Sequence, residues 1–562
     1  MSSKATFALF LTIGLLITLA LIAAPVFYAI SLSFYTMDSF VADPEWIGLA
    51  NYVRVLSTGA FWNALGNGLI YSISTIVLQV VLGIGMALVL NQAFPGRNLV
   101  RGLSILPYLL PTVVFVLTFK WMVDGSIGII TKGIAALGLP PVHWFESPQA
   151  AMASSVMVSV WLWTPFVTTA FLAGVQTVPT SLYEAAKVDG TNAIQRFYHI
   201  TLPMLKPVLT VVVLLRAVWT FNKFDVIWLL TGGGPVGSTE HLAILSYTTA
   251  FTKFDIGGGA NRNALVPVPG NFRLHLLPHL STRRGRIMTR SLFGRLALYL
   301  TAIVIAIYSA FPVYWMIVSS TRAPQSMFSS SSLWPGPFTS EYYANLLELT
   351  DYPTQFMNSL TVALITVVVT MFFSVIIAYA VTRQRIRGKK VIVASMLYAY
   401  MFPPLLIAIP MYTFFTRIGL GDTLTSLVAA HLTMTLPLGV WFLWGFFKNM
   451  PFELEEAAMV DGCTRLGAFL RVVLPLSLPG LLTVAIFSFL LSWIDYTFAL
   501  IMIGSDANKT VPVGLASMIG SFDLRWGEIM AGSTLIALPL FGAFALLSQY
   551  FIQGMSAGAV KG

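Results

Sequence analysis

A single cysteine, Cys463, stands in 562 residues, which excludes an intramolecular disulfide and any cysteine-based metal cluster. Charge is also scarce: 10% of the residues are Asp, Glu, Lys or Arg, against about 25% in a soluble globular protein. There is no Gly-x-x-x-x-Gly-Lys-Ser/Thr loop to cradle phosphates, so the chain does not hydrolyse ATP itself. The six histidines, at 143, 199, 241, 275, 279 and 431, are scattered and give no metal-ligating spacing. Alternation of apolar and polar residues is too weak for a membrane barrel.

Hydrophobic residues, by contrast, make up 57% of the chain. Runs of about 20 apolar residues, long enough to cross the hydrocarbon as helices, recur throughout. The reading is an all-α, polytopic membrane protein. Spans are expected at roughly 7–35, 64–91, 99–123, 150–177 and 206–230, then at roughly 294–318, 357–382, 391–415, 424–447, 477–503 and 529–553. The first run, from Phe7 to about Phe34, is too long for a signal-peptide core and reads as a retained span. The net charge of +10 sits mainly in short loops without acids, around Arg97, Arg101 and Arg383 to Lys390. The loops near 37–62 and 322–357 instead hold acidic residues, Asp38, Asp43 and Glu45 in the first and Glu341, Glu348 and Asp351 in the second. That alternation is the positive-inside pattern of a membrane protein and not a nucleic-acid surface.

One long unit occurs twice. Glu184-Ala-Ala-Lys-Val-Asp-Gly190 and Glu456-Ala-Ala-Met-Val-Asp-Gly462 lie 272 residues apart and align without a gap through Leu202-Pro203 and Leu474-Pro475. Pro165, Pro179 and Pro207 have partners at the same spacing in Pro437, Pro451 and Pro479. Each copy places a polar, helix-compatible loop between very apolar segments. The loop resembles the cytoplasmic coupling helix of binding-protein-dependent ABC importer permeases. The resemblance implies two bundles of about six transmembrane helices in a prokaryotic cytoplasmic membrane, fed by an extracytoplasmic solute-binding protein. It also implies two ATPase subunits, one on each loop, which bind the ATP and magnesium; no cofactor is expected in this chain. Small Ala185, Ala186, Ala457 and Ala458 permit close approach to such a partner, and Glu184 and Glu456 can meet its basic groups. Gly190 and Gly462, after Asp189 and Asp461, supply the sharp reversal.

Two further stretches narrow the resemblance to the maltose-type carbohydrate permeases. Leu230-Thr-Gly-Gly-Gly-Pro235 is similar to the larger subunit of that group, and Gln553-Gly-Met-Ser-Ala-Gly-Ala-Val-Lys-Gly562 to the tail of the smaller one. Arg216, Trp219, Thr220 and Lys223 fall at i, i+3, i+4 and i+7, hence on one helical face. The resemblance places them, with Trp163 and Phe166 around Pro165, at sugar-contacting positions. Aromatic faces stack on sugar C–H surfaces, and charged or amide groups bond to hydroxyls. Helix packing is the other reading of this face, with Arg216 neutralised by an acid such as Asp225 or snorkelling. In the second copy Thr435, Leu436 and Leu438 replace Trp163, Thr164 and Phe166, so contacts are expected mainly from the first.

Topology leaves one fault. Two loops on one side of the membrane need an even number of crossings between them, and the apolar runs supply five. The absent sixth span of the first copy should follow Asp255-Ile-Gly-Gly-Gly-Ala260. Residues 261–287 instead hold Pro267, Pro269, Pro278 and clustered arginines, which suit no membrane helix. Three regions follow: 1–260 as the larger-subunit-like unit, 261–287 as an atypical junction, and 288–562 as the smaller-subunit-like unit. The junction reads as an out-of-frame segment joining two permease genes, with Met288 the start of the second; a natural linker is the alternative. The expected function is carriage of a carbohydrate across the membrane by alternating access. Open alternatives are an anionic sugar derivative such as a sugar phosphate or uronide, an ion-coupled secondary transporter, and a fused remnant without transport.

Overall fold

The computed structural model describes residues 23–264, 292–383, 389 and 393–542, apart from 38, 41–42, 126, 325–332, 335, 397–402 and 521–524. The suspected segment 265–287, the start of the first expected span and the C-terminal tail lie outside the described residues.

Helices carry the architecture. The first unit runs α1 (Ala24–Leu32), α2 (Gly59–Leu90), α3 (Arg97–Leu109), α4 (Thr112–Met122), α5 (Pro148–Thr177), α6 (Thr180–Val188), α7 (Leu202–Phe221), α8 (Asp225–Thr231) and α9 (Ile256–Ala264). The second runs α10 (Leu292–Thr321), α11 (Tyr352–Arg383), α12 (Pro404–Arg417), α13 (Leu424–Lys448), α14 (Glu453–Val460), α15 (Leu478–Trp493), α16 (Thr497–Met502) and the helix 526–542, α17. Among the described residues, six helices are long and apolar enough to cross a membrane, or eight if each of two bent pairs is one span.

Three expected spans are not straight. Residues 99–123 divide into α3 and α4, which meet at 98°. Pro111 precedes α4 with φ near −55° and no N–H to give to the turn behind it, so the helix cannot continue through it. Residues 206–230 divide at Asn222, where α7 ends and the separate α8 begins after Phe224. The equivalent break in the second unit falls between Trp493 and Thr497. Both units also share a π-helical turn, Phe197–Thr201 and Phe469–Val473, after the Glu-Ala-Ala segment. The repeat therefore extends to an uncommon backbone feature.

Within each unit the second span packs along the fourth, α2 on α5 and α11 on α13. Without a hydrophobic force between helices in lipid, such contacts depend on small residues that let backbones approach. A Cβ on Gly83 would stand 2.6 Å from Val167 Cγ1, and one on Gly439 would stand 2.4 Å from Ser374 Oγ. Gly439 is the counterpart of Val167, and Ser374 follows Asn358 at the distance at which Gly83 follows Asn67. The glycine has changed helix while the close approach is kept.

The units interlock by exchanging their first helices. α10 lies on α3, and is also held by Trp161 of α5, whose Nε1 donates to the Tyr308 carbonyl at 2.7 Å, and by Trp121 of α4, whose Nε1 donates to Ser319 Oγ at 3.1 Å. Reciprocally, α1 lies on α12, and Phe40 meets Tyr412 edge-on at 4.7 Å. One continuous core, including Trp121 against Trp526, joins both units.

Candidate functional site: two exposed helices and an aromatic–cationic cluster

The two Glu-Ala-Ala segments form equivalent short helices, α6 and α14. After each, the chain reverses at a left-handed glycine, Gly190 with φ +76° and Gly462 with φ +89°. An added Cβ would meet nothing within 4 Å at either position, so the requirement is conformational and not steric. The next turn is capped by Asn192, in a reciprocal box with Gln195, and by Thr464, which accepts from Gly467 N–H. Glu184, Ala185, Asp189, Glu456, Ala457 and Asp461 are exposed; Ala186 is half-buried and Ala458 buried. No described residue pairs with Glu184 or Glu456.

A surface that sequence reading missed surrounds them. Leu182, Val188, Ile194 and Tyr198 are exposed around the first segment, and Leu454, Val460, Leu466 and Leu470 around the second. Each member of the first set has its counterpart in the second at the 272-residue spacing. Val188 and Val460 are 89% and 87% exposed, values that solvent alone does not explain for a repeated apolar position. The detectable signal was apolar residues recurring at one spacing inside otherwise polar loops.

The segments differ underneath. Glu455 is buried, and its Oε2 accepts from Tyr379 Oη at 2.7 Å. Arg383 Nε lies 2.5 Å from Oε1, an ionic contact whose angle falls outside hydrogen-bond geometry. The Arg383 NH1 and NH2 groups also reach the Met450 carbonyl at 3.3 Å. In the first unit Tyr183 occupies the place of Glu455 and meets Thr201 Oγ1 at 2.9 Å instead.

Deep in the first unit the expected face is assembled, with Trp163 at its centre. The Arg216 guanidinium lies 5.2 Å and Lys223 Nζ 4.7 Å from the Trp163 ring centre, within reach of a cation–π attraction. Phe166 packs on Trp219 at 5.5 Å. Tyr108, unforeseen, meets both Trp163 at 5.5 Å and Phe166 at 6.4 Å. Pro165 is the reason Trp163 and Phe166 sit at an irregular part of α5, because it removes one helical hydrogen bond. Among the described residues, the buried Thr220 hydroxyl and the Trp163 indole N–H have no hydrogen-bond partner.

One detail departs from expectation, and a second departs from the helix-packing alternative. Lys223 lies beyond the end of α7 rather than on its face, yet still reaches Trp163. Asp225 pairs with Lys223, at 2.9 Å, and not with Arg216. The Arg216 Nε–H donates to Gln79 Oε1 at 2.8 Å, and Gln79 Nε2 donates to the Ser159 carbonyl. Gln79, on the middle of an apolar span, had no periodic signal to mark it.

The equivalent region of the second unit has other chemistry. Thr435 bonds Thr370 at 2.7 Å. His431 lies between Ser492 Oγ, 2.8 Å from Nδ1, and Asp495 Oδ2, 3.2 Å from Nε2. Asp495 also accepts from Ala499 N–H. Ser492 and Asp495 stand where the first unit has Thr220 and Lys223.

Residues 79–268 and 371–557 each match the family described as the binding-protein-dependent transport system inner membrane component. The chain belongs to that family. It carries two permease units, and its place is the cytoplasmic (inner) membrane. Similar relatives include the inner membrane ABC transporter permease protein YcjP of Escherichia coli, 35% identical over 48% of this chain and 97% of that protein. The trehalose/maltose transport system permease protein MalF of Thermococcus litoralis is 37% identical over 43% of this chain and 81% of its own length. The diacetylchitobiose uptake system permease protein DasC of Streptomyces coelicolor is 35% identical over 49% of this chain and all of its own length. Each spans less than half of this permease, as a single unit does.

Proposed function

We propose that this permease is the transmembrane path of an ABC importer for a carbohydrate. The observation that carries the reading is the pair of exposed, equivalent Glu-Ala-Ala helices with matching apolar surrounds. Each would take one ATPase subunit, which supplies ATP hydrolysis and binds magnesium; an extracytoplasmic binding protein would deliver the sugar. Movement of α6 and α14 would rotate the two bundles between outward- and inward-open states, which requires contacts that differ between those states. The cluster of Trp163, Phe166, Arg216, Trp219, Thr220 and Lys223 would meet the sugar. Relatives named for trehalose, maltose and diacetylchitobiose support a carbohydrate. Ion coupling is less well supported, because Asp225 and Asp495 are each held by neighbouring groups.

Glu184→Ala combined with Glu456→Ala tests the docking. Each charge-assisted contact contributes about 1.5–3 kcal/mol, so the double variant should lose ATPase on co-purification while remaining folded in the membrane. Undiminished ATPase retention together with parental uptake would defeat the assignment.

For residues 261–287 we propose an out-of-frame origin. It is supported at Asn261, which is fully buried with neither side-chain atom bonded among the described residues, and at Arg262, whose Nε and NH1 are likewise buried and unbonded there. Sequencing the DNA across codons 255–290 tests this: an intact frame, with the fused polypeptide present in cells, would overturn it.

A further inference from the structure

The Trp163 cluster holds two cations and one acid. Lys223 is paired with Asp225 at 2.9 Å. Arg216, 3% exposed, meets no carboxylate among the described residues. Its Nε–H is taken by the neutral amide of Gln79, and its NH1 and NH2 make no hydrogen bond there. The acid at the equivalent place in the other unit, Asp495, is occupied by His431 and the Ala499 N–H. A buried cation without a counter-charge is costly, since isolated charges withdrawn from water are otherwise paired. Beside it lie two more donors without acceptors among the described residues, the Trp163 indole N–H and the Thr220 hydroxyl.

We propose that this cluster binds an acidic carbohydrate bearing a singly charged group, a uronate carboxylate above all. The inference rests on the carbohydrate reading given above and specifies its substrate class. The charge decides between acids. The cluster has an excess of one positive unit, which a carboxylate neutralises. A phosphate ester carries about −1.5 to −2 at neutral pH and would leave negative charge over. A planar guanidinium also matches a planar carboxylate through its two terminal nitrogens. The half-buried rings of Trp163, Phe166 and Trp219 would then cover the sugar's C–H faces while Arg216 holds its acid.

The test uses the full chain in phospholipid nanodiscs, with radiolabelled digalacturonate and the neutral disaccharide galactobiose in equilibrium dialysis. No binding protein is present, so the permease alone sets the preference. Digalacturonate should bind at least about 10-fold more tightly than galactobiose, the scale of one charge-assisted hydrogen bond. Arg216→Gln should abolish that preference, weakening digalacturonate far more than galactobiose. Because Arg216 is buried and its replacement can harm folding, two variants at the less deeply buried Lys223–Asp225 pair test the charge excess separately. Lys223→Gln leaves Asp225 to cancel Arg216 and should weaken digalacturonate; Asp225→Asn raises the excess and should tighten it. Equal binding of both sugars to the parent, or insensitivity of digalacturonate to all three substitutions, overturns the acidic substrate and leaves a carbohydrate permease standing. Binding of neither sugar overturns the carbohydrate reading of the cluster, and this inference with it.

Discussion

The sixth span begins in the same way in both units and then diverges within one helical turn. A Cβ on Gly257 would stand 2.0 Å from the Tyr35 carbonyl, and one on Gly527 would stand 2.2 Å from Tyr342. Both starts are therefore packed against chain that follows their own unit's first span. Four and five residues on, the second unit has Ala531 and Gly532, and a Cβ on Gly532 would approach Leu515 to 2.7 Å. The first unit has Asn261 and Arg262 there, with four buried polar atoms unbonded among the described residues. The tertiary site for a sixth helix is intact through Ala260, and only the residues entering it have changed. This contrast supports a changed reading of the sequence more than a changed architecture.

A second contrast, in how the Glu-Ala-Ala helices are seated, yields the largest expected effect. Arg383→Met leaves Glu455 buried beside Tyr379 without its cation, and breaking a buried pair from one side costs about 3–5 kcal/mol. Hydrogen exchange should accelerate over 453–473 and remain at the parental rate over 180–201, where Tyr183 makes no ion pair. Equal acceleration of both stretches would mean that the two helices are anchored alike.

The sixth-span contrast is sharpened by exchanging residues. Asn261→Ala removes two unbonded buried atoms and should stabilise the purified chain by about 1–3 kcal/mol. The mirror change, Ala531→Asn, should destabilise it by a similar amount. Thermal unfolding in one detergent reads both. A loss of stability in Asn261→Ala would show that Asn261 bonds to chain beyond Ala264, and the proposed junction would then fail.

How much of this was legible in the sequence depends on the range of the interaction. The repeat, the membrane class and the exposed Glu184 and Glu456 follow from local composition and spacing. Periodicity sets Arg216 and Trp219 on one face of α7, but that Trp163 and Phe166 join them was implied by the resemblance to the maltose-type permeases and not by spacing. The break at Pro111 is written in one residue, yet a proline inside an apolar run also occurs in spans that continue, as Pro165 does in α5. Gln79, Tyr108 and the Arg383–Glu455 pair were invisible for a different reason. Each acquires its role from a partner more than 50 residues away, and no periodicity within one helix reports such a partner. Lys223 was assigned to a face of α7 although the helix ends two residues earlier, at Phe221.

The last contrast is between Trp219 and its counterpart Leu491. If the sugar lies on the first unit's rings, Trp219→Ala removes a stacking face beside Phe166, worth on the order of 1–3 kcal/mol by analogy with base stacking on aromatic side chains. That is about a 5- to 150-fold loss of affinity. Leu491→Ala, at the same place in the second unit, removes no ring, and its uptake should stay within about twofold of the parent, since it changes no contact assigned to the sugar. The measurement is uptake of digalacturonate and galactobiose at matched membrane abundance, with an apolar sixth span restored after Ala260. Both sugars should suffer in Trp219→Ala, because a ring covers C–H faces whatever the charge of the substrate. That separates it from Arg216→Gln, which should penalise the acid far more than the neutral sugar. Equal losses in Trp219→Ala and Leu491→Ala would place the path symmetrically between the units, and the division of labour between an aromatic–cationic first unit and a His431–Asp495 second unit would then be one of packing.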